Sequence, residues 1–304
     1  MNGLKCIIDK LPSKYRRCFE KSGSGSLNSI TEIRFRVLRP CVLSTRRELL
    51  FLSERGLSPI LTADCVVTGT DEISDIISRL CEYSVFSHTE SISQGYITIL
   101  GGHRVGICGS MNSNGKIDIG SISSINIRVA NEVHGCASRI FEQTQQNGLS
   151  SVLLAGSPLC GKTTLARDFA RIISGEPHYK KCTIIDERGE IAAVHGGIPS
   201  FDIGVCSDVI DRFDRKSGFE IALRTLSPQV VVCDEIGLWE DFGHFVACEK
   251  SGVKLVATAH AGNLNELKKK ENIWQAIESG IFDYIVCLQP YPNTGIIKNI
   301  YKVV

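Results

Sequence analysis

The run Gly156-Ser157-Pro158-Leu159-Cys160-Gly161-Lys162-Thr163-Thr164 carries the pattern G-x-x-x-x-G-K-[ST] in full. At average residue frequencies, four specified positions match by chance in about 1% of chains of this length. Glycines at both ends let the backbone turn so that its N–H groups point inward at phosphate oxygens, and a helix starting at Lys162 adds partial positive charge. Lys162 is expected to reach the β- and γ-phosphates of ATP, and the Thr163 hydroxyl to ligate Mg²⁺. Together the nine residues form the expected nucleotide cradle.

Carboxylates follow two apolar runs further along. Val230-Val-Val-Cys233 is closed by Asp234-Glu235, and Ile184-Ile185 by Asp186-Glu187-Arg188. Acids at the ends of apolar strands belong beside the phosphates, because ligands sit at the carboxyl ends of such strands. Asp234 is expected to hold Mg²⁺ and Glu235 to act as general base on the attacking water. For the other pair, Asp186 is assigned to the metal and Glu187 to the water near the γ-phosphate; a solvated strand end is the alternative. His260 in Ala257-Thr-Ala-His-Ala261 ends another apolar run and is expected to sense the γ-phosphate by hydrogen bond. Arg104 and Arg128 each stand in an apolar run, where an unpaired arginine is costly. They either form local salt bridges or face an anion.

The positions of these residues predict the elements that carry them. From about His134 onward, strands and helices alternate: strand 151–155, helix 162–174, strand 181–185, helix 219–226, then strands at 230–233, 254–257 and 284–287, with a terminal hairpin of 285–288 and 296–303. Apolar strands alternating with helices predict an α/β fold whose sheet is mostly parallel and covered on both faces. The first part reads as a smaller α/β domain. A short helix spans Leu11–Phe19 with Pro12 in its first turn, Ser22–Ser26 is a flexible break, and strands lie at Ile33–Val37 and Leu49–Leu52. A helix starts near Asp71 with Thr70 as N-cap, Gly95–Cys108 forms a hairpin, Asn114-Gly115 signals another, and Ile122–Val129 is a strand. The expected domains are 1–132 and 133–304.

Composition narrows the function classes. The chain has 304 residues, 43% hydrophobic and 22% charged, which are ordinary globular values. Lys and Arg total 34 against 33 Asp and Glu, a formal net charge of +1. No global positive field therefore drives nucleic-acid binding. The 13 cysteines are odd in number and widely spaced, with no CxxC; the many inside apolar stretches read as small buried hydrophobes in a reducing compartment, and neither a disulfide framework nor a zinc site is expected. The N-terminus lacks the apolar core of a signal peptide and no run approaches ~18 apolar residues. A cytoplasmic chain without direct membrane insertion is expected.

The order GSPLCGKTT, IIDERGE, VVVCDEIG and ATAHA resembles the traffic ATPases of type II and type IV secretion. With GYITILGGHRVGI, SSINIRVANE, SDVID and LSPQVVVCDEIG added, it resembles more closely the stage III sporulation protein AA branch, over most of residues 30–304. The resemblance implies a RecA-like ATPase domain behind a smaller α/β domain, assembled as a homo-oligomeric ring, most simply a hexamer. It also implies a place on the mother-cell side of a membrane, peripheral to membrane-embedded subunits of a sporulation channel. Carried onto this chain, Lys162 and Thr163 are the P-loop pair, Asp234 and Glu235 the second acidic pair, Asp186 and Glu187 the acidic box, and His260 the His box. Arg104 and Arg128 match arginines that secretion ATPases present to nucleotide. Two positions depart from the pattern: Leu159 follows Pro158 where the family has a second proline, and Cys206 stands where the family usually has an arginine. Arg212 and Arg215 lie near enough in sequence to substitute. Two other readings fit a P-loop chain: a cytosolic RecA-like ATPase acting on nucleic acid, and a nucleotide switch with little turnover. Near-neutral charge without aromatic–basic interleaving argues against the first, and the Asp234-Glu235 pair against the second.

Overall fold

The computed structural model describes residues 3–303 except 28, 46, 114, 115, 131 and 238–240. The Asn114-Gly115 turn signal lies outside the described residues. The chain divides into two compact units, Met1–Asn131 and Glu132–Val304.

The first unit contains α1 (Gly3–Lys10), α2 (Ser13–Glu20), α3 (Ser24–Leu27), β1 (Ile30–Arg36), β2 (Val42–Thr45), β3 (Leu49–Ser53), β4 (Gly56–Ser58), α4 (Thr70–Leu80), α5 (Thr89–Ser93), β5 (Tyr96–Ile99), β6 (His103–Met111) and β7 (Ile117–Arg128). Its seven strands run in the order β4-β3-β2-β1-β7-β6-β5, each paired antiparallel to its neighbour. Period-2 alternation turns Ile33, Phe35, Val105, Ile107, Ile125 and Ile127 to one face, where they pack with Tyr15 and Phe19 of α2 and Ile73, Ile76 and Ile77 of α4. Each such side chain contributes roughly 1.5–3 kcal/mol by burial.

Three local expectations are corrected here. Residues 24–27 form a helical turn, not a flexible break. Gly69, not Thr70, is the N-cap of α4, and its N–H is taken by Glu72 three residues on, at 2.6 Å. Pro12 sits just before α2 as its N-cap, outside the first turn.

The second unit contains α6 (Ser138–Thr144), β8 (Val152–Gly156), α7 (Lys162–Ser174), β9 (Cys182–Asp186), β10 (Ser207–Asp211), α8 (Arg215–Ile221), β11 (Val230–Cys233), α9 (Asp241–Lys250), β12 (Lys254–His260), α10 (Leu264–Lys268), α11 (Glu271–Glu278), β13 (Tyr284–Leu288) and β14 (Ile297–Lys302). The strand order is β10-β9-β11-β12-β8-β13-β14. Neighbours from β10 to β13 pair in parallel, and β14 pairs antiparallel with β13 at the edge. The chain as a whole is thus a mixed α/β protein with one antiparallel and one mixed sheet. Alternate residues of the same strands feed two cores. Leu153, Val231, Leu255 and Ala257 pack with Phe219, Phe245 and Phe282. Val152, Leu154, Val230, Val232 and Val256 pack with Phe141, Phe169 and Ile173 on the other side. The helix expected over 219–226 starts earlier, at Arg215, and its last turn, 222–226, widens into π geometry. Among the described residues no helix is long and apolar enough to cross a membrane.

Candidate active site

Strand register gathers the chemistry at one end of the second unit's sheet. Cys233 lies beside Ala257 and Ile185, so Asp234 and Asp186 leave their strands at the same level. His260 lies beside Gly156, the first residue of the phosphate loop. This is the carboxyl edge of the parallel strands, where α/β sheets bind ligands.

Between β8 and α7 the loop turns through Leu159 at φ 63 and Gly161 at φ 95. Glycine is required at both loop ends. A Cβ on Gly156 would come within 2.3 Å of Cys160 Sγ, and one on Gly161 within 3.1 Å of Thr294 Cγ2. The turn between β13 and β14 braces the loop: the Thr294 hydroxyl donates to Leu159 O at 3.2 Å and the Gly295 N–H to Cys160 O at 2.8 Å. α7 starts at Lys162 and ends at Ser174, as the pattern predicts.

Lys162 is buried and donates to Gly156 O at 3.0 Å, Ser157 O at 2.9 Å and His260 Nδ1 at 3.1 Å. Burial holds its pKa below the usual lysine value, against the opposing pull of Cys160, Asp234 and Glu235. Because the ammonium can only donate, His260 Nδ1 is the acceptor and the ring proton sits on Nε2. That N–H donates to Glu235 Oε1 at 2.8 Å, and Arg188 pairs with Glu235 Oε2. The result is a continuous chain of Lys162, His260, Glu235 and Arg188. Burial pushes the Glu235 carboxyl up, but the His260 hydrogen bond, Arg188 and Lys162 outweigh it and hold the pKa below the usual value. Glu235 itself stands at φ 50, an uncommon conformation for a non-glycine residue. Its N–H is held by Thr258 Oγ1 at 2.9 Å and Asp234 Oδ1 at 3.1 Å.

Thr163 donates to Asp234 Oδ2 at 2.6 Å, and the buried Thr258 hydroxyl binds Asp234 Oδ1. A hydroxyl and a carboxylate converging in this way form a hard-oxygen donor set that fits Mg²⁺, an ion that takes one or two protein ligands and completes its shell with phosphate and water. Thr164 lies on the first turn of α7, half-buried.

The acidic box departs from expectation. Asp186 is buried, and its two carboxylate oxygens accept the N–H groups of Glu190, Ile191 and Ala192 at 2.8–3.1 Å. In this structure it anchors its own loop. Arg167 of α7 ties the same loop to the phosphate-loop helix through Ile191 O and, at 2.6 Å, Glu190 O. Glu187 is exposed and held by Arg215 at 3.0 Å. Arg215 binds Asp241 at 2.7 Å, with side chains only 11% and 4% exposed, and Asp241 also accepts the Gly237 N–H at 3.0 Å. Glu187, Arg188, Arg215, Glu235 and Gly237 line a cavity of about 280 Å³.

Arg215 is therefore committed within its own chain and does not replace the arginine absent at Cys206. Arg212 remains exposed, 3.9 Å from Asp211. Arg104 and Arg128 belong to the first unit, as cross-strand partners on β6 and β7. Both are exposed, so the cost of a buried arginine does not apply to them. Arg104 lies over the Tyr96 ring, 5.1 Å from its centroid, and Arg128 also faces Glu32 on β1.

Arg188, Asp241 and Thr258 carry no role in the sequence reading, and Arg215 enters it only as a substitute for the arginine absent at Cys206. Thr258 had a readable signal, since it sits two residues before His260 on the same face of a strand. The others act through pairings distant in sequence.

The family model for sporulation stage III, protein AA matches residues 4–303. Stage III sporulation protein AA of Bacillus subtilis (strain 168) is 32% identical over 300 residues, covering 97% of this chain and 94% of that protein. Among solved structures, the Legionella pneumophila ATPase DotB superposes with a TM-score of 0.57 at 15% identity, over 86% of this chain and 73% of that one. The pilus retraction motor PilT with bound ADP gives 0.54 at 13% identity, over 85% and 74%. The fold is thus shared with DotB and PilT, and the chain belongs to the stage III sporulation protein AA family.

Proposed function

We propose that this chain binds Mg·ATP on its phosphate loop and hydrolyses it, working as an oligomeric ATPase at a membrane complex during sporulation. The observation that carries the reading is the Lys162–His260–Glu235 chain beside the Thr163–Asp234 pair. A phosphate-binding cation, a carboxylate suited to orient water and a metal-binding oxygen pair meet at one strand edge. Thr163 and Asp234 would hold Mg²⁺, which neutralises charge on the β- and γ-phosphates when bound. Glu235 takes a proton from the attacking water as oxygen bonds to the γ-phosphorus and the bond to the β–γ bridging oxygen breaks, releasing ADP. His260 fixes one Glu235 oxygen and relays the position of Lys162 to it. The fold shared with PilT, whose structure holds ADP, supports the nucleotide. Ring assembly, six subunits and membrane-embedded partners follow the resemblance and complete the proposal.

Lys162→Ala is expected to weaken ATP binding about 10–100-fold, the worth of a charge-assisted hydrogen bond of roughly 1.5–3 kcal/mol, with the fold retained. Titration calorimetry with ATP measures this, and unchanged affinity would remove Lys162 from the site.

The proposal assigns Arg104 and Arg128 to the terminal phosphate. Exposed side by side on neighbouring strands, they offer two cations to one anion. Arg104→Ala and Arg128→Ala should each lower ATPase turnover about tenfold, the scale of one charge-assisted contact, without changing the melting temperature. A lower melting temperature with normal specific activity would make them a structural pair.

A further inference from the structure

Arg188 occupies the oxygen of Glu235 that His260 leaves open. The backbone on its C-terminal side is held: the Gly189 N–H donates to Asp186 O at 3.2 Å and the Glu190 N–H to Asp186 Oδ1 at 2.8 Å. Arg167 holds the next two carbonyls from the side of α7. The Arg188 side chain, by contrast, is 64% exposed, while its partner Glu235 is 25% exposed. A backbone held on that side and a solvated, rotatable guanidinium beside a cavity of about 280 Å³ describe a group that can change partners without moving the main chain. Through Glu235 and His260 this guanidinium belongs to the same hydrogen-bonded network as Lys162, the expected phosphate-binding cation. A terminal phosphate carries more negative charge than one carboxylate and offers three strong acceptor oxygens, so it competes well for an arginine.

Resting on the ATP-binding reading above, we infer that Arg188 is a latch on Glu235, and that it transfers to the γ-phosphate of ATP. Glu235 and the γ-phosphate then compete for one guanidinium. ATP binding releases the Glu235 oxygen for water, and ADP, lacking that phosphate, leaves the latch closed. Arg188 serves as a positioning residue for the base in one state and as a phosphate ligand in the other.

Competition makes a prediction that a static surface ion pair does not. The full chain is titrated with the β,γ-imido analogue of ATP and with ADP, both with Mg²⁺, in four forms: wild type, Arg188→Ala, Glu235→Gln and the double variant. Glu235→Gln should tighten the triphosphate analogue about fivefold, the scale of one partly exposed ion pair, and leave ADP unchanged. Arg188→Ala should lose about tenfold of the preference for triphosphate over diphosphate, and Arg188→Lys should recover part of it. With Arg188 absent, Glu235→Gln should no longer tighten the analogue. Triphosphate preference unaffected by either substitution would overturn the latch and leave the P-loop reading standing. Equal weakening of both nucleotides by Arg188→Ala would also overturn it, because that is the signature of a merely structural role. Wild-type protein that binds neither nucleotide would overturn the ATP reading, and the latch with it.

Discussion

Glu235→Gln should hold ATP and scarcely turn it over. The glutamine keeps the size and one oxygen acceptor of the glutamate, so the hydrogen bond from His260 Nε2, 2.8 Å in the wild type, can persist and Lys162 stays oriented. The substitution removes the negative charge and the capacity to take a proton from water. A positioned general base contributes about 10²–10⁴ in rate, and that is the expected fall in turnover. Single-turnover phosphate release from a pre-bound complex separates this loss from any change in affinity. Asp234→Asn makes the contrast. It weakens the carboxylate that meets Thr163 at 2.6 Å, so its main effect should fall on Mg²⁺-dependent binding. Interchanged phenotypes would mean that the two roles are reversed.

Asp241→Ala should strongly destabilise the second unit. The Asp241 side chain is 4% exposed and joins Arg215 to the Gly237 N–H. Its loss leaves the 11%-exposed Arg215 with the exposed Glu187 as its remaining ion pair and strips the Gly237 N–H of an acceptor. Breaking a buried pair from one side costs about 3–5 kcal/mol. The lower end fits here, because Glu187 still binds Arg215. For a unit of this size a loss of about 3 kcal/mol lowers the melting temperature by roughly 6–12 °C. Asp241→Asn, which keeps an oxygen acceptor, should recover part of the loss. Thermal unfolding followed by a probe in the second unit measures both. An unchanged melting temperature would show that the pair contributes nothing net.

Local signals were the legible part of this chain. The phosphate loop and α7 are contiguous, and the helix occupies residues 162–174 as the motif requires, because glycine conformations and helix start lie within a few residues of one another. The apolar strands of the second unit were legible for a similar reason: runs such as Val230–Cys233 are buried on both faces. Arg104 and Arg128 illustrate the opposite case. Their strands alternate, with Val105, Ile107, Ile125 and Ile127 inward, so the arginines face outward even though the runs look apolar. Asp186 illustrates another limit. Whether a strand-end carboxylate meets a ligand or its own loop depends on the backbone of residues 190–192, and the residue types do not reveal that. Arg188, Arg215 and Asp241 matter through pairings across three loops, and no short motif encodes those. Strand order was also illegible, since placing β8 between β12 and β13 depends on packing of distant segments.

The most direct test of the central claim is phosphate release from Mg·ATP by the purified full chain, with Lys162→Ala assayed in parallel. Release should be proportional to protein concentration, dependent on Mg²⁺, and reduced in the variant at sub-saturating ATP in line with its 10–100-fold weaker binding. Absence of release from the wild type, or equal release from the two proteins, would contradict it.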